Sequence, residues 1–405
     1  MFHLKNGIRA YHWGSTDAIT QLLGHSAEIT PQAELWLGAH PGNPSQHSTT
    51  GQGLDILIEQ QPVKFLGQCV SSRFGQLPFL MKVLAASQPL SIQVHPSLVQ
   101  AREGYQREDA AEIDRAAAQR NYKDDNHKPE MLYALGDFVA LSGFRTPAQI
   151  LADLAQLRDE LSAPAQQTHA ALVQALSSAQ QPLGRALELV LTGGEPIHQL
   201  CEELVSSINA HPALREQPQL AEVAWAAQFY PKDPGVLVAL LMNVVRLQAG
   251  EAISLGAGKI HAYLRGVGIE VMANSDNVLR GGLTSKHIDV PELLAVTITE
   301  PGLPERLTAH AVEPGNKLYT PDFDEFQLQV LESSAEAEQL EHQVHCSGGA
   351  IALCTAGSFV LIGDDEQLRI SRGESVFLPA AGNYRARATA AKSSLFIASA
   401  SAQCH

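Results

Sequence analysis

At Thr146 the sequence changes texture, and that change decides the architecture. Before it, residues 1 to 145 carry short apolar alternations broken by Gly and Pro, as in Glu34-Leu35-Trp36-Leu37-Gly38 followed by His40-Pro41-Gly42-Asn43-Pro44. Such punctuation predicts strands, here over Leu77 to Leu84 and Leu90 to Val94. Thr146-Pro147-Ala148-Gln149 then reads as a helix start, with Thr as N-cap, Pro at the first helical position and Gln at the capping-box position. Ile150, Leu154, Leu157 and Leu161 follow at helical spacing, and Ala, Leu, Gln and Glu dominate to about Gln228. Strand-like texture returns near Gly235, although Val236 to Leu247 also fits a buried helix. From Gly250 the chain is Gly-punctuated and β-rich to its end. A helical stretch inserted into a β protein is the expectation, and 405 residues suffice for two or three cores.

Composition narrows the function classes. Hydrophobic residues make up 45% of the chain and charged residues 18%, enough apolar surface for packed cores. The formal charge of -15 repels phosphate backbones, so nucleic-acid binding is not expected. An anionic small substrate then needs a pocket with its own positive charge. The five cysteines are odd in number and no two are separated by two residues, which speaks against a disulfide framework and a Cys-based zinc site. The N-terminus has no long apolar segment, and the run Val236 to Val245 is too short to span a bilayer. A cytoplasmic enzyme is the expectation.

Four short segments carry chemistry. In an extended Ser91-Ile92-Gln93-Val94-His95, the three polar side chains share one face and the two apolar ones the other. Lys128 and Glu130, in Asn126-His127-Lys128-Pro129-Glu130, also alternate onto one face, and Pro129 favours an extended residue before it. In Gly258-Lys259-Ile260-His261-Ala262-Tyr263-Leu264, His261 and Tyr263 oppose three apolar residues. Ser275 to Lys286 joins turn residues to Arg280 and Lys286. Taken singly, each fits a solvent face, a polar loop or a structural histidine. Together Gln93, His95, Glu130 and His261 offer two imidazoles, a carboxylate and an amide oxygen. That set suits one Zn²⁺, with Mn²⁺, Fe²⁺ or Co²⁺ also compatible. Lys82, Lys128, Arg280 and Lys286 add positive charge.

Gly250-Glu251-Ala252-Ile253-Ser254-Leu255 resembles Gly373-Glu374-Ser375-Val376-Phe377-Leu378. This Gly-acidic turn followed by alternation is frequent in cupin-type barrels, which are double-sheet jelly rolls. Six residues beyond Leu255 lies His261; six beyond Leu378 lies Tyr384. The second unit is therefore expected to be a barrel without a metal site.

In this order, Tyr11-His12-Trp13-Gly14-Ser15, Ala33-Glu34-Leu35-Trp36, Leu77-Pro78-Phe79-Leu80-Met81-Lys82, Ser91 to Pro96, Asn126 to Met131, His261 to Leu264 and Ser275 to Lys286 resemble the type I phosphomannose isomerases. The resemblance covers residues 1 to about 145 and about 250 to 290. It implies zinc on Gln93, His95, Glu130 and His261, and interconversion of mannose 6-phosphate and fructose 6-phosphate. It implies a fold that is mainly β with an α insertion: a catalytic cupin-type barrel over 1–145 and 229–318, a helical domain over 146–228, and a C-terminal β-barrel over 319–405. Arg280 falls on the active-site arginine, while Lys82, Ser91, Lys128, His127 and Asp276 fall on the pocket lining.

An aldose–ketose isomerase removes a proton from C2 and returns one to C1 through an enediol. Lys128, His127 and Asp276 are the expected bases, Arg280 a phosphate or enediolate clamp, and Ser91, Lys82 and Lys286 the substrate-binding groups. The expected partner is a sugar phosphate, with no nucleic acid and no membrane, and the expected state a monomer. Two other readings share parts of this pattern: an Fe²⁺ cupin dioxygenase and a non-catalytic sugar-binding module.

Overall fold

The computed structural model describes residues 1–24, 26, 29–333, 340–380 and 382–401. Helix and strand are nearly equal, at 32% and 31% of the chain, so the fold is mixed rather than mainly β. Part of the difference lies before Thr146. Helices span Ala18–Leu23, Leu54–Gln60, Pro62–Phe74 and Leu98–Ala110 there. The last begins at Ser97, whose side chain accepts from the Gln100 backbone in a capping box. The start at Thr146 has the expected form: Thr146 and Gln149 cap one another reciprocally ahead of Pro147–Leu157. Helices continue to Leu241, and the apolar run 236–247 is both things at once. Gly235–Leu241 is a buried helix and Met242–Leu247 a strand.

The strand His261–Ala273 organises the first β unit. Its first half, from His261 to Arg265, pairs with Phe138–Phe144, and His261 also pairs with Gln93. Its second half, from Gly266 to Ala273, pairs with Phe79–Ala86 and, from Gly268, with Glu130–Ala134. The change of partners occurs at Gly266, where φ is 127° and an added Cβ would stand 2.8 Å from the Asp137 carbonyl oxygen. Only glycine fits such a corner. The strand thereby belongs to two sheets that face one another across an apolar interior of Trp13, Leu84, Leu132, Phe138, Ala140 and Tyr263.

The other faces of these sheets are also covered. Ile92, Val94, Ile260, Ala262 and Leu264 pack outward against the helices of residues 147–241. On the opposite side Leu37, Met81, Val83, Ile269 and Val271 pack against Leu328, Ile351, Leu353 and Phe396 of a second, eight-stranded sheet. Beyond that sheet a third core, including Phe359, Leu361 and Ile397, separates it from a four-stranded sheet. Phe2–Lys5, at the start of the chain, pairs with Ser375–Leu378 near its end. Among the described residues no helix is long and apolar enough to cross a membrane. Among the described residues Cys201, Cys346 and Cys354 are free thiols, whereas Cys69 is disulfide-bonded.

The two Gly-acidic turns are alike in detail. Gly250 and Gly373 have φ of 92° and 86°. Glu251 accepts a bond from the Gln248 amide and Glu374 one from the Ser371 amide. Strands Ala252–Leu255 and Ser375–Leu378 follow.

Candidate metal centre

Three strands deliver three buried ligands to one point. Glu130 opens its strand directly after Pro129 and forms the register pair of Met272. His95 follows the strand Ile92–Val94, and His261 opens the long strand. Ligand atoms of His95, Glu130 and His261 lie within 4.8 Å of one another, and all three residues are buried. Among the described residues, no other cluster of His, Cys, Asp and Glu has this geometry.

The hydrogen bonds fix the imidazole tautomers. His95 Nδ1 lies 2.8 Å from the Asn277 carbonyl oxygen and His261 Nδ1 2.9 Å from that of Lys259. A carbonyl only accepts, so each Nδ1 carries the proton and each Nε2 presents a lone pair. Both Nε2 atoms are buried without a hydrogen-bond partner. Each stands 3.3 Å from an oxygen of Glu130. Ion-pair geometry is met there, but no proton is left on Nε2 to make a bond, so the contact is between lone pairs. Two imidazole lone pairs and a carboxylate converging in a buried place repel one another unless a cation lies between them. The residues fit a metal such as zinc on this count.

Electrostatics agree. Burial, with the Lys128 ammonium second, lowers the His95 pKa to about 4, so its ring is neutral and able to ligate at neutral pH. Burial pushes Glu130 up, but Lys128 at 3.0 Å and His95 outweigh it and hold the carboxyl well below its usual range. Glu130 is therefore an anion under all physiological conditions.

A cleft of about 300 Å³ lies beside these residues, with Lys128, the ion-pair partner of Glu130, and Gln93, the register partner of His261, in its wall. Its lining includes Gln93, Ser91, Lys128 and Lys82, and from the segment after the long strand Asp276, Arg280 and Lys286. Gln93 is the register partner of His261, so their side chains are neighbours on one face. The cleft also receives Arg9, His12 and Tyr230. A larger cavity of about 510 Å³, beside Gln100, Arg185 and Thr297, has no metal-ligand cluster; chemistry, not size, selects the cleft.

His127 is not brought to the cleft. Its Nε2 lies 2.7 Å from Glu325 Oε1, and it is absent from the cleft wall. The imidazole turns toward a residue 198 positions away, outside the sequence window in which it was read. Lys82 lines the cleft but is buried, with its ammonium 2.9 Å from Glu270 and 3.5 Å from Glu34. Burial pulls its pKa down, yet these two carboxylates outweigh that and hold it well above the usual lysine value. Asp276 is exposed at the rim, with Oδ1 3.6 Å from His40 Nε2. Burial lowers the pKa of Arg280, and burial together with Arg280 lowers that of Lys286.

Sequence reasoning gave no role to Glu34, Trp36, His40 or Glu270. Trp36 Nε1 donates to Glu34 Oε2 at 2.7 Å, and Trp36, Lys82 and Glu270 are neighbours in one row across three strands. Glu34 and Trp36 alternate on their strand as Gln93 and His95 do, which is the signal that could have found them.

Known proteins resemble this chain in sequence and fold. Residues 1–147 match the family described as phosphomannose isomerase type I, catalytic domain. A mannose-6-phosphate isomerase from Salmonella typhimurium is 39% identical over 387 residues, covering 94% of this chain and 95% of that protein. Mannose-6-phosphate isomerase 1 from Arabidopsis thaliana is 32% identical over 399 residues, covering 93% and 89%. A crystal structure of a phosphomannose isomerase variant from Salmonella typhimurium superposes with a TM-score of 0.87 at 36% identity, covering 98% of each chain. A crystal structure of mannose 6-phosphate isomerase bound with zinc and yttrium gives 0.85 at 36% identity, again over 98% of each. A likeness that runs nearly end to end in sequence and in fold makes this chain a member of the type I phosphomannose isomerase family.

Proposed function

We propose that this protein is a zinc-dependent isomerase that interconverts mannose 6-phosphate and fructose 6-phosphate through a cis-enediol. The observation that carries the proposal is the convergence of two unpartnered imidazole lone pairs and a carboxylate beside a cationic cleft. A relative described as bound with zinc supports the choice of metal. His95, Glu130 and His261 would hold it, with the Gln93 amide oxygen as the fourth ligand. Gln93 faces His261 across the strands and adds a donor without adding charge. The ligand set then bears one negative charge against a dication, and the metal supplies Lewis-acid stabilisation of a developing enediolate oxygen.

The other residues bind and orient. Arg280 remains a cation, since even a lowered guanidinium pKa lies far above neutrality, and it clamps phosphate or enediolate. Lys286 and Ser91 take the phosphate end, which does not react. Lys82 is held by two carboxylates, so it shapes the cleft wall and contributes little free charge to an anion. With His127 turned to Glu325, Lys128 and Asp276, both on the cleft wall, are the groups assigned to move a proton from C2 to C1. The same reading divides the chain into a cupin-type catalytic barrel over 1–145 and 229–318, a helical domain over 146–228 and a C-terminal barrel over 319–405. It also takes the enzyme to be a cytoplasmic monomer, which light scattering of the purified protein and fractionation of cells check.

A coupled assay of mannose 6-phosphate turnover, with and without chelator, tests the function. Turnover that chelation stops and zinc restores is expected. A zinc-loaded protein that binds mannose 6-phosphate without converting it would overturn the proposal in favour of a binding module.

A further inference from the structure

The cleft residues Thr284 and Lys286 sit on a short loop of unusual backbone that follows Arg280 of the strand Leu279–Gly282. Gly282 has φ of 126°, and Leu283, with a full side chain, has φ of 51°. A leucine in the left-handed region must be held there by its surroundings. The holder comes from the helical stretch. Asp233 lies in the turn just before the helix Gly235–Leu241, fifty residues upstream of Leu283.

One carboxylate serves both segments. Asp233 Oδ1 accepts from the Gly235 amide at 2.7 Å and from the Leu283 amide at 2.9 Å. Oδ2 accepts from the Thr284 amide at 3.2 Å. The two backbones touch: a Cβ on Gly235 would meet the Leu283 nitrogen at 2.2 Å, and one on Gly282 would meet the Gly235 Cα at 2.3 Å. Asp233 is itself fixed, since its carbonyl accepts from the Val236 amide and its amide donates to the Tyr230 carbonyl. Tyr230, three residues earlier, lines the same cleft, and Thr284 Oγ1 accepts from the Lys286 amide at 3.1 Å. The helical stretch therefore reaches the cleft through one turn, and Asp233 supplies its hydrogen bonds to the Leu283 and Thr284 amides.

We propose that Asp233 is a positioning residue: it holds the 281–286 loop in the strained form that brings Arg280, Thr284 and Lys286 together on the phosphate of the substrate. The proposal rests on the sugar-phosphate reading above. Asp233→Asn is the test, on the zinc-loaded full chain. An amide keeps one acceptor but turns an NH₂ toward a backbone N–H, so at least one bond becomes a clash. Losing hydrogen bonds to a charged group raises KM for mannose 6-phosphate about tenfold. The inhibition constant of inorganic phosphate rises in parallel, while bound zinc and kcat stay within about twofold, a difference too small to mark a lost hydrogen bond. Amide hydrogen exchange of a peptide spanning residues 279–287 quickens, and that of a peptide spanning residues 350–356, in the far sheet, does not.

Unchanged KM, phosphate inhibition and loop exchange would overturn the role with activity intact. Loss of zinc, or a fall in kcat alone, would also overturn it, since neither follows from a loosened phosphate loop. Failure of the wild type to turn over mannose 6-phosphate is a separate outcome that strikes the functional reading, because loop exchange and phosphate binding are read without turnover. If the Asn variant does not fold, Asp233→Glu keeps the charge at the wrong reach, and the same split between KM and kcat is required of it.

Discussion

Replacing Lys82 with Met removes the cation that lies between two buried carboxylates. Its ammonium is 2.9 Å from Glu270 and 3.5 Å from Glu34, and all three residues are buried. At an effective dielectric of about 20, these distances correspond to attractions of about 6 and about 5 kcal/mol. The lysine no longer has to be desolvated, which returns several kcal/mol, so the net loss of stability is about 3–5 kcal/mol, the usual result of breaking a buried pair from one side. The loss depends on pH in a definite direction. Burial already raises the Glu270 pKa above its usual value with Lys82 present; without Lys82 it rises further. A carboxyl whose folded pKa exceeds its unfolded one binds protons preferentially in the fold, so its contribution falls as pH rises through the folded pKa. Lys82→Met is therefore less destabilising near about pH 5 than near about pH 8, where the unfolded carboxyl is fully ionised. Urea midpoints of wild type and variant at both pH values, at fixed zinc, give the comparison. A loss under about 1 kcal/mol at the higher pH, the size of an exposed pair, would refute the reasoning. So would a loss that is equal at both.

Further outcomes follow from the ligand geometry. Removing the metal with a chelator abolishes turnover, and it lowers stability by about 4 kcal/mol if zinc had been present at a thousand times its dissociation constant, as thermal scans with and without zinc will show. His261→Ala removes one of the two converging lone pairs, so zinc content and activity fall together; a variant that keeps both would break the ligand assignment. In the metal-free protein the His95 pKa is about 4, against about 6.5 for an unfolded histidine. The unfolded chain then binds the extra proton between those values, so stability drops as pH falls through that window, by up to about 3 kcal/mol. His95→Gln abolishes this component, and equal pH slopes for the two metal-free proteins would contradict it.

What could be read from sequence was what two-residue periodicity carries. The faces of Ser91 to His95 and of Ile260 to Leu264 divide as alternation requires, with Ile92, Val94, Ile260, Ala262 and Leu264 in one core. The helix start at Thr146 was equally plain, because a capping box is a four-residue event. Contacts between distant segments were not legible. Glu270 lies in Val267-Gly268-Ile269-Glu270-Val271, where a lone acidic residue reads as a solvent position; its partner Lys82 is 188 residues away. The orientation of His127 depends on Glu325, and the shape of the 281–286 loop on Asp233. The helices before Thr146 were missed because Gly and Pro, taken there as strand punctuation, also sit at helix ends. Pro62 starts one helix and Gly75, in the left-handed conformation, ends it.

The internal repeat sets two like turns beside one cluster of converging ligand atoms, that of His95, Glu130 and His261, among the described residues. The Gly250–Glu251 and Gly373–Glu374 turns share their backbone conformation and their glutamate-to-amide bond, and each leads into a buried strand. The turn therefore does not make the site. What differs is the strand that follows. His261 opens a strand of thirteen residues that changes sheets at Gly266, so its first residue lies against Gln93 and near Glu130. The strand after Tyr384 has four residues and stays within the four-stranded sheet. Tyr384 donates its hydroxyl to the Pro379 carbonyl at 2.7 Å, closing its own loop. The candidate metal centre is thus tied to the corner in the long strand, which brings His261 beside His95 and Glu130.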